Sequence, residues 1–306
     1  MEMLETKCPL CGSTGNYTAM YKSNFSLSDL NPEVFSARRL PDLIHYQVVR
    51  CNNDKLVRSS PVCDDLSVQA LYKSSKFSYA ENINNLTASY LKVLNKVLTS
   101  LSKEAVILEV GCGNGFVLSA LLDKGYKNLY GVEPGADAVS KADEKIKGRI
   151  SSHVLKDGIY KNESFDFVFF FQTLDHIQDP VRFLTTCYNL LSPGGSILAL
   201  NHDVESLSAR LLKEKSPIID IEHTYLYSKE TIGKIFFKTG FVPVEIFSPN
   251  SCISIKYLIW LFPLPKVWKL KLLNLKGKLF DALLNQKMWI PLGNLCIIAN
   301  KPGTDK

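Results

Sequence analysis

The chain reads as an α/β protein built on a doubly wound sheet, and three observations predict this. Short apolar runs rich in β-branched residues alternate with segments of helical spacing over residues 80–300. One run, Val106-Ile-Leu-Glu-Val110, closes in the glycine turn Gly111-Cys112-Gly113-Asn114-Gly115 and passes into the helical pattern Phe116-Val-Leu-Ser-Ala-Leu-Leu122. The next run, Leu129-Tyr-Gly-Val-Glu133, ends in a carboxylate about 20 residues beyond the first glycine, where nucleotide folds grip ribose hydroxyls.

A short run closed by glycines suits a strand buried on both faces. Glycine tolerates positive φ and lets backbone approach a ligand closely, and ligands of open α/β sheets sit at the carboxyl ends of the strands. A dinucleotide-binding turn needs a third glycine where this chain has Phe116, so a pyrophosphate ligand is disfavoured and Glu133 stands as a ribose-binding candidate. Further apolar runs follow at Phe165-Asp-Phe-Val-Phe-Phe-Phe171, Ser196-Ile-Leu-Ala-Leu200, Gly240–Phe247 and Leu292–Ala299.

With these residues in place the chain resembles the class I S-adenosylmethionine-dependent methyltransferases of the methyltransferase-23 type. Their first motif is a strand, an acidic residue and a glycine turn, with a second acid after the next strand; Glu109 and Glu133 occupy those places. Phe165–Phe171 with Gln172-Thr-Leu-Asp-His-Ile-Gln-Asp-Pro180 looks like the family's fourth strand and following loop. Leu190-Leu-Ser-Pro-Gly-Gly-Ser-Ile-Leu-Ala-Leu200 looks like its fifth strand and approach, with the sixth and seventh at 240–247 and 292–299. The resemblance implies a Rossmann-like seven-stranded sheet and S-adenosylmethionine as cofactor, held by Glu109, Gly111, Cys112, Gly113, Asn114, Gly115, Glu133, Pro134, Phe171 and Gln172. It says little about the acceptor.

The 306 residues exceed a typical single core, and we expect a lobe at 1–75, a cofactor-binding core at 76–250 and a cap with a closing strand at 251–306. The start, Met1-Glu-Met-Leu-Glu-Thr-Lys7, lacks a basic region and an apolar stretch, so a cytoplasmic protein is expected. In that reducing compartment the eight cysteines are metal ligands or buried small residues rather than disulfides. Cys8-Pro-Leu-Cys11-Gly forms one knuckle, and His45-Tyr-Gln-Val-Val-Arg-Cys51-Asn-Asn-Asp54 resembles the second half of a zinc ribbon with Asp54 in place of the last cysteine. Cys8, Cys11, Cys51 and Asp54 make a reasonable structural zinc set with no open position. Cys63 is a rival ligand, and a ribbon without metal is the alternative.

Between lobe and core, Leu71–Glu81 carries Tyr72 and Tyr79, which either close over the cofactor as a lid or pack lobe against core. Leu86–Leu98 has the apolar spacing of an amphipathic helix packed beside the first core strand.

For chemistry the excursion after the fifth strand stands out, from Asn201-His-Asp203 to Asp220-Ile-Glu-His-Thr-Tyr-Leu-Tyr-Ser228. Methyl transfer needs an in-line nucleophile and a group to take its proton, and Glu222-His223 supplies an imidazole with an adjacent carboxylate. The pair resembles the Glu-His of nucleotide-sugar C-methyltransferases, which also carry a zinc lobe. This chain departs from them: it has Ile221 where they have a further His, and it lacks their large C-terminal domain. The other reading of His223 is packing against the core. His176, in the pair Asp175-His176, ranks second with a loop-holding alternative, and His202 third.

Residues 251–306 hold nine Lys against Asp281 and Asp305, so the net charge of +6 belongs to this tail. Ile253–Leu264 is apolar but too short to span a membrane, and Lys266-Val-Trp-Lys-Leu-Lys-Leu-Leu-Asn-Leu-Lys-Gly-Lys-Leu-Phe280 mixes Lys, Trp and Leu like a helix on an anionic surface. A helical cap over the sheet edge is the plainer expectation. The sharper one is contact with an anionic small-molecule acceptor, or peripheral contact with the inner membrane face through 251–290. Specific nucleic-acid binding is not favoured by this composition. The expected function is methylation of a sugar, nucleotide- or lipid-linked, or a related metabolite; the alternatives are an RNA-modifying methyltransferase and a non-catalytic cofactor-binding scaffold.

Overall fold

Phe165–Phe171 is the spine of the molecule because an almost unbroken aromatic run can only be satisfied by burial on both faces. The structure, a computed structural model, describes residues 2–31, 34–35, 43–75, 83–261, 265–273 and 282–303. Val168 and Phe170 enter one core cluster and Phe167, Phe169 and Phe171 the other, as the two-residue period of a strand requires. Each fully buried phenyl ring contributes about 2–3 kcal/mol of apolar transfer free energy.

Seven strands form the sheet, in the order Val242–Phe247, Asn294–Asn300, Leu191–His202, Phe165–Phe171, Val106–Val110, Asn128–Val132 and Ile150–Ser151. Leu191–His202 and the four strands beyond it pair in parallel, whereas Asn294–Asn300 runs antiparallel to both its neighbours. The expected seven-stranded Rossmann-like sheet is therefore present. Ile150–Ser151 has only two residues, too few to carry a legible alternation, and the sequence reading does not locate it.

Helices cover both faces. Tyr90, Val93, Leu94 and Val97 of helix Ile83–Leu98 and Val117, Leu118 and Leu121 of helix Phe116–Asp123 fill one side. Phe183, Leu184 and Cys187 of helix Pro180–Leu190 and Ile232, Ile235 and Phe236 of helix Lys229–Lys238 fill the other. Asp179 caps the third of these by accepting the Arg182 N–H, with Pro180 in the first turn.

The N-terminal lobe is a four-stranded antiparallel sheet, ordered Tyr225–Leu226, Val57–Ser59, Val48–Cys51 and Tyr17–Tyr21. Its edge strand comes from the excursion, more than 150 residues away in sequence. At the other end of the chain, the insertion expected to be helical is framed by an antiparallel ribbon, Ser251–Ser254 against Lys287–Ile290, with helices Ile255–Leu261 and Lys266–Leu273 between. The apolar stretch expected from Ile253 thus begins as strand. Tyr79, Pro263 and the second half of the expected Lys266–Phe280 helix lie outside the described residues. Among the described residues no helix is long and apolar enough to cross a membrane.

Candidate active site

The glycine turn works through backbone geometry. Gly111 has φ +72°, and a Cβ there would lie 2.6 Å from Thr173 Oγ1, so a side chain is excluded by both strain and space. Gly115, at φ +70°, starts helix Phe116–Asp123. The Gly113 N–H donates to Glu133 Oε2 at 2.9 Å and the Gly135 N–H to Glu133 Oε1 at 2.7 Å. Glu133 thus ties the turn to the loop after the second strand, and its remaining lone pairs can accept ribose hydroxyls. Burial pushes its carboxyl above the ordinary value, opposed by those two N–H groups. Glu109 is buried, and burial, reinforced by the charge of Glu133, pushes its carboxyl well above the ordinary range.

Gly111, Glu133, Pro134, Phe171 and Gln172 line one cavity of about 1580 Å³. This exceeds the volume of most single-ligand pockets, roughly 300–1,000 Å³, and leaves room for an acceptor beside a cofactor. Gly113, Asn114 and Gly115 shape the turn without lining the cavity. The Cys112 thiol is buried where a Cβ on Gly131 would come within 2.7 Å of it, so its side chain packs turn against strand and only its backbone can face a cofactor. His153, Val154, Leu155 and Lys156, just after the short edge strand, also line the cavity and were missed together with that strand. Cys252, Ile253, Leu258 and Ile290 bring the C-terminal cap to its wall. Gln172 Nε2 donates to Asn294 Oδ1 at 3.1 Å and Asn294 Nδ2 to Ser251 Oγ at 2.8 Å, which joins the cofactor loop to the cap.

The chemical end of the cavity is organised around Asp175, which is fully buried beneath the lining residues His176, His202 and His223. Asp175 Oδ1 is 3.9 Å from His176 Nε2, and Oδ2 is 3.9 Å from His202 Nε2. The His223 ring centroid is 4.9 Å from those of both His176 and His202. Burial raises the Asp175 carboxyl, and the nearby His223 opposes the rise. Asp175, rather than Glu222, is grouped with His176 and His223, while the charge of Glu222 bears on Tyr72, whose hydroxyl burial and that charge push well above its ordinary value. Tyr72 Oη lies 2.7 Å from His176 Nδ1, a contact between residues 104 apart that no local pattern announces.

The lobe holds His223 in place. The Ser59 N–H donates to Thr224 O at 2.9 Å and Ser59 Oγ to His223 O at 2.8 Å, while the Thr224 N–H donates to Asp175 O at 2.8 Å. Within the lobe, ligand atoms of Cys8, Cys11, Cys51 and Asp54 all lie within 4.8 Å of one another, with Cys8 Sγ 3.7 Å from Asp54 Oδ2 and Cys11 Sγ 3.6 Å from Cys51 Sγ. Burial pushes the Cys8 thiol up to about 12. Cys51 is buried as well, yet the N–H groups of Asp54 and Asn53 bring its thiol below the ordinary value, the backbone environment of a thiolate knuckle. Cys63 stands apart from this group, packed with Phe35, Tyr46 and Leu71. The donor set and spacing fit tetrahedral zinc.

The model of a family described as a methyltransferase domain matches residues 79–246. An uncharacterized methyltransferase of Geobacillus kaustophilus is 29% identical over 187 residues, covering 56% of this chain and 83% of the relative. A tRNA U34 carboxymethyltransferase of Vibrio cholerae is 28% identical over 161 residues, 48% of each chain, so this chain spans about half the length of that relative. Among solved structures, the YcgJ protein of Bacillus subtilis superposes with a TM-score of 0.50 at 15% identity, over 69% of this chain and 97% of that one, a likeness of fold.

Proposed function

This chain belongs to the methyltransferase-domain family and is a class I S-adenosylmethionine-dependent methyltransferase; from that premise we propose that its acceptor is a small molecule with an apolar portion, of the lipid-linked or nucleotide-linked sugar kind. The observation that carries this reading is one continuous cavity, which runs from the glycine turn to the Asp175 cluster and on between Leu207 and Leu211 of helix Leu207–Leu212. Those two leucines are 73% and 71% exposed, as are Val267 and Trp268 on the Lys-rich cap at 76% and 67%. Apolar side chains beside cationic ones suit a peripheral contact with an anionic lipid surface.

In the proposed mechanism Glu133 and Gly111 place the cofactor, Glu109 braces the turn from beneath, and the cavity holds the acceptor in line with the sulfonium. The acceptor atom bonds to the methyl carbon as the carbon–sulfur bond breaks, S-adenosylhomocysteine leaves, and the acceptor's proton passes to an imidazole of the Asp175 cluster. Positioning supplies most of the acceleration. The Asp175 cluster, with the imidazoles of His223, His176 and His202 as its basic groups, handles the acceptor atom, and Glu222 lines the same cavity. Zinc at Cys8, Cys11, Cys51 and Asp54 would be structural, stabilising the lobe that holds His223.

A second reading, methylation of RNA, is favoured by the tRNA-modifying relatives and the basic tail. The deciding experiment is transfer of labelled methyl groups from S-adenosylmethionine to a panel of lipid-linked sugars, nucleotide sugars and bulk tRNA. Label in the small acceptors supports the proposal, and label only in tRNA overturns it.

A further inference from the structure

Asp175, His176 and His223 come from two loops, yet their ligand atoms lie within 4.8 Å of one another. Asp175 is fully buried, and neither of its oxygens makes a hydrogen bond of good geometry; its own N–H and that of His202 sit at longer range. A buried carboxylate so placed is costly unless a cation compensates it.

The two imidazoles are oriented by what their other nitrogens do. His223 Nδ1 lies 2.8 Å from Ile218 O. A carbonyl can only accept, so Nδ1 carries the proton and Nε2 is the basic nitrogen. His176 Nδ1 meets Tyr72 Oη at 2.7 Å. That contact turns the other ring nitrogen, Nε2, to the Asp175 side, 3.9 Å from Oδ1. Imidazoles whose Nδ1–H is tied to a carbonyl or a carboxylate chain are oriented as metal ligands are, with the outer partner fixing tautomer and ring. A cation between these clustered ligand atoms would compensate the buried, unpartnered Asp175 carboxylate.

We propose that Asp175, His176 and His223 form a divalent transition-metal site, with His202 beside it and an open position toward the cavity. Two imidazoles and one carboxylate suit zinc, iron(II), manganese or nickel better than magnesium or calcium, and three protein ligands leave a position for an oxygen of the acceptor. Tetrahedral zinc would hold its ligand atoms roughly 3.3 Å apart, so the 3.9 Å separation of Asp175 and His176 has only a little to close. This inference deepens the methyltransferase reading and rests on it for the role of the open position, though not for metal binding itself; with the metal held, His176 and His223 are ligands and His202, which also lines the cavity beside Asp175, is the imidazole placed to take the acceptor's proton.

Cobalt(II) distinguishes this site from the cysteine-rich one, because thiolate ligands add intense charge-transfer absorption that an Asp-His-His site lacks. The wild-type full chain, its cysteine-rich site first filled with one equivalent of zinc, is titrated with cobalt chloride, with S-adenosylmethionine binding measured on the same sample. Weak d–d absorption saturating at one equivalent, weakened at least about tenfold by Asp175→Asn or His223→Gln (~1.4 kcal/mol), is the expected result. Should Asp175→Asn fail to melt cooperatively, His176→Gln reads the same loss. A sample that binds S-adenosylmethionine but gives no such absorption, or absorption indifferent to these variants, overturns the metal site and leaves the methyltransferase reading intact. Loss of both binding events in a folded sample overturns both.

Discussion

Glu133 shows how much one side chain decides. It receives N–H groups from both Gly113 and Gly135, so Glu133→Ala removes the ribose acceptor and unties the turn together. Calorimetric titration with S-adenosylmethionine is expected to show affinity lowered by about 2 kcal/mol, roughly 30-fold. Glu109 makes a different prediction. Its folded-state carboxyl is raised well above the ordinary value by burial; its stabilisation is therefore complete below the unfolded value, about 4.3, and is lost as pH rises toward the folded one. Glu109→Gln removes this titration, so its melting temperature should gain on the wild type as pH increases from 5 to 8, by about 1.4 kcal/mol of stability for each tenfold difference between the folded and unfolded acid constants; a constant difference would disprove it. Both acids are legible in the sequence because each ends an apolar run, and strand ends are where open α/β sheets present side chains to ligands.

At the scale of elements, the lobe and the excursion share one sheet through Tyr225–Leu226 and Val57–Ser59. The excursion is tied down again where His45 Nε2 meets Glu214 Oε1 at 3.2 Å. Loosening the cysteine-rich end should therefore be felt at His223. Cys11→Ser is expected to lower the zinc content measured by mass spectrometry, lower the melting temperature by several degrees, and reduce turnover while sparing S-adenosylmethionine affinity. The long strands and helices follow from apolar periodicity, and the knuckle from its Cys-x-x-Cys spacing. The borrowed strand has two residues and the third core strand also two, so neither offers a period to read; pairing with a distant partner makes them strands.

For the molecule as a whole, the cap and the leucines of helix Leu207–Leu212 line the cavity, and on the proposed reading they select its acceptors. Replacing Leu207 and Leu211 together by Asp should raise KM for apolar acceptors at least tenfold (~1.4 kcal/mol) and abolish sedimentation with anionic vesicles, with S-adenosylmethionine binding unchanged; undiminished vesicle binding would refute the membrane role. The alternating runs, the glycine turn and the two acids belong to segments a few residues long, so the sequence by itself determined the fold class and the cofactor. Only the tertiary structure decided that Asp175, and not Glu222, is grouped with His223, that Tyr72 meets His176, and that the lobe positions the excursion. Those contacts join residues tens to hundreds apart, where no local periodicity constrains which side chains meet and packing of the whole chain does.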